Sequence, residues 1–226
     1  MPRTAPELAS TGTHDFLGCL ADALGGSVEP PVKAMEARIR AAVNTAGARV
    51  HCIPQRLPVC SHLPGAIATA SAASEVLARL MGDFAAIEPY LYWHRRTTAG
   101  PNASDNWPDG HANAEIIGAR GVESRPGLQI GVSVLAPHVR YPDHSHPPEE
   151  VYLVLSSGRF QHGATPWFEP GIGGTFHNVP NIKHAMASDA APLLAMWCLW
   201  SAKRHGPNGR DFQECGSSEP IRLSSK

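Results

Sequence analysis

Residues Tyr141-Pro142-Asp143-His144-Ser145-His146-Pro147-Pro148-Glu149-Glu150-Val151-Tyr152 bring imidazoles, carboxylates and phenols together around three prolines. Such a set can hold a metal ion and place a titratable phenol beside it. His144 and His146 are two apart, so in an extended segment they share one face and can grip one ion. Pro147 and Pro148 exclude a continuous central strand and impose a turn. Beyond the turn, 150–155 reads as a strand with Glu150, Tyr152 and Val154 on one face and Val151, Leu153 and Leu155 on the other. A carboxylate and a phenol thus emerge together next to the imidazoles, whereas Glu149 has the opposite parity and is expected to face solvent.

The rest of the chain must position this stretch. At 226 residues it is long enough to bury a large core and short for two independent domains. A net charge of −1 with 17% charged residues provides no basic footprint for nucleic acid and no polybasic membrane signal. No apolar run approaches the ~20 residues of a membrane span, and the first residues lack the apolar core of a secretion signal, so the expectation is a cytoplasmic protein acting on a small molecule. The five cysteines, Cys19, Cys52, Cys60, Cys198 and Cys215, have no Cys-x-x-Cys spacing and predict neither a disulfide framework nor a thiolate metal site.

Residues 1–88 read as an α-helical N-terminal extension. One helix begins at Pro31 with the stripe Val32, Met35, Ile39 and Val43 and ends near Gly47. A second runs from about Thr69 to Ile87 through Val76, Leu77, Leu80, Met81, Phe84 and Ile87, and Pro89 stops it. A third covers 11–24, and 51–64 is a proline-rich loop. These stripes are packing faces, with a homodimer contact as the alternative use. Residues 89–205 change to short β-favouring runs with glycine and proline between them, the texture of a β-sandwich or barrel. Strands are expected at 90–93, 114–117, 128–135, 150–155, 159–167, 174–179 and 193–200, with 102–111 as a loop over a cavity mouth. Residues 206–226 form a polar C-terminal tail.

His144-x-His146-x-x-x-Glu150 followed by Gly174-x5-Pro180-x-x-x-His184 resembles the two motifs of the cupin superfamily, across roughly residues 114–200. The resemblance implies a mainly β fold, a double-stranded β-helix or jelly-roll barrel, with His144, His146, Glu150 and His184 holding one divalent metal. Asn181 stands where a turn glycine is usual. Tyr141-Pro-x-His-Ser-His-Pro with Glu150-x-Tyr152, the distance to His184 and the helical front are similar to the cupin-type dimethylsulfoniopropionate (DMSP) lyases. That likeness implies cleavage of DMSP to dimethyl sulfide and acrylate, with Tyr141 or Tyr152 as the catalytic base.

The implied chemistry has a physical rationale. Removing a proton beside a carboxylate builds charge on its oxygens, which a divalent cation stabilises. A nitrogen and oxygen ligand set suits Zn, Fe, Mn, Co or Ni without choosing among them. A phenol, with a reference pKa of ~10, needs a nearby cation to act as a base. A sulfonium calls for aromatic faces, with Tyr90, Tyr92, Trp93, Trp107, Trp167, Trp197 and Trp200 as candidates. His138, His162 and His177 read as hydrogen-bonding residues. Two other functions fit the same residues: an iron-dependent oxygenase and a non-catalytic small-molecule-binding cupin.

Overall fold

The computed structural model describes residues 5–98 and 100–201, with side chains from residue 12 onward. The expected tail at 206–226 and Cys215 lie outside the described residues. Helices α1 (Ala5–Gly25), α2 (Pro30–Val43), α3 (Leu63–Ala73) and α4 (Glu75–Ile87) precede most of the strands. Helix α2 starts as its prolines dictate but stops at Val43, capped by Asn44 rather than reaching Gly47. The helix expected over 69–87 is two helices. Ser74 is extended at φ −163° and its Oγ accepts from Leu77 N at 3.2 Å, an N-cap that starts α4 and ends α3. Leu63 and Pro64 begin α3 directly after a 3-10 turn at Pro58–His62, so the expected loop is shorter than 51–64. No helix among the described residues is long and apolar enough to cross a membrane.

Strands β1 (Ala48–Arg49), β2 (His111–Ile117), β3 (Glu123–Ser124), β4 (Leu128–Leu135), β5 (Glu149–Val154), β7 (Thr175–Asn178) and β9 (Leu193–Trp200) form a seven-stranded sheet in the order β1-β3-β2-β4-β9-β5-β7. Strands β6 (Arg159–His162) and β8 (His184–Ala187) make a second sheet. The second sheet is widened on both sides. Val139–His144 runs antiparallel to β8 through Tyr141 N to Met186 O at 2.8 Å and His144 N to His184 O at 3.0 Å, and Phe168 bridges Phe160. The two sheets face each other as a jelly roll, the fold that the resemblance implies. Two expected strands differ: Tyr90–Trp93 forms only an isolated bridge, Tyr92 to Gln55, with another just beyond it from His94 to Asn113, and β6 ends at His162. The loop before β2 contains one helical turn, α5 (Trp107–Gly110).

Period-2 alternation on the central strands divides the interior into two cores. Ile130, Val132 and Val134 of β4, Leu194, Met196 and Cys198 of β9, and Val151 and Leu153 of β5 pack outward against Phe16, Leu20, Met35, Ile39, Leu80 and Phe84 of the helices. Tyr152, Val154, Leu193 and Ala195 point inward and meet Val139, Tyr141, Phe160 and Met186 of the second sheet. Burial on both faces explains why 193–200 is almost wholly apolar. Val32, Met35 and Ile39 are fully buried in the outer core, so this stripe is packing. The helices thus back the large sheet and leave its inner face for chemistry.

Candidate metal centre and active site

His146, Glu150 and His184 bring one ligand atom each within 4.8 Å of one another, the one such metal-capable group among the described residues. Glu150 Oε2 lies 3.5 Å from His146 Nε2 and 3.2 Å from His184 Nε2. Three separate elements converge here. His146 comes from the proline turn, Glu150 from the start of β5 on its inward face, and His184 from the first position of β8. His184 is seated by its antiparallel pairing with His144, which puts both side chains on one side and their ring centroids 4.0 Å apart. His144 therefore lies against the group while remaining outside the three atoms that cluster.

The imidazoles are oriented by their other nitrogens. Nδ1 of His144 meets Pro142 O at 2.9 Å, Nδ1 of His146 meets Pro148 O at 3.1 Å, and Nδ1 of His184 meets Ile182 O at 3.0 Å. A carbonyl only accepts, so each Nδ1 carries the proton and each Nε2 presents its lone pair, the tautomer that metal ligation requires. His184 Nε2 is buried without a hydrogen bond among the described residues. An orphaned imidazole lone pair beside a buried carboxylate is costly unless something binds it, so these residues fit a cation. Burial and the neighbouring His184 push His144 down to about 3, and burial lowers His184 as well, keeping both neutral. Burial would raise Glu150, but His146 and His184 outweigh it and hold the carboxyl below its ordinary value. His146 is correspondingly raised, burial being overcome by Glu150.

Asn178 and Asn181 add supports that the sequence motifs did not reveal. Asn178 is directly opposite Glu150 in the β5–β7 pair and is itself held by His162 Nδ1 at 2.9 Å from its Oδ1. Asn181 has φ +61° and donates its backbone N–H to His146 O at 2.9 Å. Asparagine tolerates this left-handed conformation better than other non-glycine residues, which accounts for its standing where glycine is usual. Glu149 is not simply solvated: it pairs with Arg38 of α2 and lies 3.3 Å from His177 Nε2.

The two phenols have different surroundings. Tyr152 is buried beside Glu150, and burial followed by the Glu150 charge raises its pKa well above the usual value. Tyr141 is raised by burial too, but Asn113 Nδ2 donates to its oxygen at 3.2 Å and Arg96 adds positive charge, both opposing that rise. Its ring meets His111 edge-on at 5.2 Å and His144 at 5.1 Å. Among the aromatic candidates only Trp107 and Trp197 reach the inner core, joined there by Phe160, Phe168 and Phe176. Trp93 is buried in the helix-side core on Glu88, Trp200 lies under Arg38, and Trp167 lies against Arg140 and Arg159. Aromatic identity alone did not reveal this, because it depends on strand parity. A separate groove of about 640 Å³ beside Arg49, Glu123 and Arg125 has Tyr90 in its wall and none of His144, His146, Glu150 or His184.

The family model for dimethylsulfoniopropionate lyase matches residues 32–195. A chain from the crystal structures of the DMSP lyases RdDddP and RnDddQII is similar, at 21% identity with a TM-score of 0.65, covering 86% of this chain and 94% of that one. DMSP lyase DddQ from Ruegeria pomeroyi DSS-3 is similar at 20% identity with a TM-score of 0.59, covering 85% and 94%. A comparison with curated proteins returned no match. The two structures share the fold, and the family match spans most of the chain, including Tyr141, His146, Glu150, Tyr152 and His184. The chain therefore belongs to the DMSP lyase family and is a carbon–sulfur lyase.

Proposed function

We propose that the protein cleaves DMSP to dimethyl sulfide and acrylate by β-elimination, with one divalent cation held by His146, Glu150 and His184 and with Tyr141 as the base. The observation that carries this reading is the cluster of three ligand atoms with both histidine tautomers set by backbone carbonyls, next to a buried phenol. His144 stands beside His184 at the edge of the set. A bound cation supplies Lewis-acid stabilisation of the charge that builds on the substrate carboxylate.

The chain's own residues supply the rest. Tyr141 oxygen removes a proton from the carbon next to the carboxylate. The C–H electron pair becomes the new carbon–carbon double bond, and the carbon–sulfur bond breaks with its electrons leaving on sulfur. Because the sulfonium is positive, it departs as neutral dimethyl sulfide and no acid is required. Burial opposes ionisation of both phenols and so does the Glu150 charge, but Asn113 and Arg96 favour the phenolate form of Tyr141 whereas no neighbour among the described residues does so for Tyr152. This contrast favours Tyr141 as base and leaves Tyr152 packed beside Glu150. The faces of Trp107 and Trp197 suit the sulfonium.

Headspace detection of dimethyl sulfide over protein and DMSP tests the proposal. Release that stops after chelation, returns with added divalent metal and runs equally under nitrogen is expected. A rate that requires oxygen would instead support the oxygenase reading, and an intact metal site without turnover the binding reading.

A further inference from the structure

The inner face of the large sheet carries a line of polar side chains that the elimination does not itself call for. Asn113 on β2 and Ser133 on β4 stand directly opposite each other, and Ser133 Oγ donates to Asn113 Oδ1 at 2.6 Å. Trp197 on β9 leans across Gly131, and its Nε1–H donates to Ser133 Oγ at 3.1 Å. Asn113 Nδ2 then donates to Tyr141 oxygen at 3.2 Å. Four residues from four segments form one chain, Trp197 to Ser133 to Asn113 to Tyr141.

The direction of that chain follows from its first member. An indole N–H can only donate, so Ser133 Oγ accepts from Trp197, and its own proton goes to Asn113 Oδ1 at 2.6 Å. A hydroxyl donor must meet the amide oxygen, which leaves the amide nitrogen facing Tyr141. Tyr141 oxygen accepts from Asn113, and its own O–H must therefore point elsewhere. Were the amide reversed, Asn113 Oδ1 would accept the phenol proton and tie it to the sheet. The strand register and the Ser133 hydrogen bond to the amide oxygen thus set the orientation that frees the hydroxyl.

We infer that Asn113 is a positioning residue for the elimination, locked by Ser133 and Trp197 so that it donates to Tyr141 oxygen and leaves the opposite side of that oxygen free for the substrate. The inference rests on the reading of Tyr141 as the base. It assigns work to Asn113 and Ser133, which lie outside the cluster of metal-capable residues and outside the sequence motifs.

The test compares wild type, Tyr141→Phe, Asn113→Leu, Asn113→Asp and Ser133→Ala, with bound metal and helicity measured for each, on DMSP and on DMSP dideuterated next to the carboxylate. Asn113→Leu is expected to lower kcat about 10- to 100-fold with metal retained and KM nearly unchanged, and Asn113→Asp, which can no longer donate to the phenol, to do at least as badly. Ser133→Ala, the mildest change, should lose less. In each variant proton removal becomes more fully rate-limiting, so the isotope effect on kcat should exceed that of wild type. Wild-type kcat in Asn113→Leu and Asn113→Asp overturns the inference. So does a loss that tracks lost metal or helicity with no rise in isotope effect, which assigns the chain to the fold alone. No dimethyl sulfide from wild type instead overturns the lyase reading, and a near-wild-type rate in Tyr141→Phe overturns the base assignment and the role of Asn113 with it.

Discussion

Asn178 Nδ2 donates to Glu150 Oε2 at 2.9 Å, from the position directly opposite on the neighbouring strand. The amide is itself buried and backed by His162, so it fixes the orientation of the same carboxylate oxygen that faces His146 and His184. Asn178→Ala is expected to weaken divalent-metal binding about 10- to 100-fold, the usual effect of removing a residue that orients a ligand. Metal titration of the apo-protein measures it. Unchanged affinity would mean that Glu150 is positioned by β5 alone.

The tyrosines should separate in kinetics. Both phenols have raised pKa values, with burial as the first cause, so the base form grows with pH and kcat/KM should climb toward alkaline pH. Tyr141→Phe should lose at least about 100-fold in kcat with metal retained. Tyr152→Phe should weaken metal binding and lose rate in proportion to the metal lost. A pH profile that is flat, or a Tyr152→Phe variant that is dead with full metal, would reverse the assignment.

His111 makes the folded protein acid-sensitive. Its ring is fully buried, with Nδ1 on Trp107 O at 2.6 Å and Nε2 accepting from Arg96 N at 2.9 Å, which specifies the neutral tautomer. Burial is the main cause that lowers it to about 4, against 6.5 ordinarily. Between those values the unfolded chain binds a proton that the folded chain does not, so stability falls as pH drops from about 6.5 to about 4. The loss is of the order of 3 kcal/mol at about 1.4 kcal/mol per pKa unit. Denaturant unfolding across this range should show a shallower pH dependence in His111→Phe than in wild type; parallel curves would dismiss His111 as the cause.

Gly131 makes room for Trp197. A Cβ at this position would come within 2.2 Å of the indole and 2.5 Å of Ala114 O, so neither the ring nor the backbone can stay in place. Gly131→Ala should destabilise the fold by about 1–3 kcal/mol, the range for overpacking, and displace the indole from Ser133. Equilibrium unfolding with tryptophan fluorescence reads both effects, and wild-type stability with unshifted emission would contradict them.

Local pattern makes much of the architecture legible. Alternation over 128–135 and 150–155 specifies strands and their parity, which is why Tyr152 and Glu150 fall on one face by residue spacing alone. Ser74 hides the break between α3 and α4, because a single capping residue interrupts a stripe without changing its apolar period. Strand β8 is absent from the expected strands for a related reason: four residues, buried throughout, leave no alternation to read.

By itself the sequence determined which side chains are available and how neighbours within one strand or turn are spaced, since backbone geometry sets those spacings locally. His146 and Glu150 belong to that category. Only the tertiary structure decided that His184 meets them, that Asn178 braces Glu150 and that Asn113 and Ser133 face Tyr141 rather than water. Those relationships depend on strand register and on a second sheet closing over the first. A polar residue in a strand has the same local pattern whether its face meets solvent or a catalytic interior.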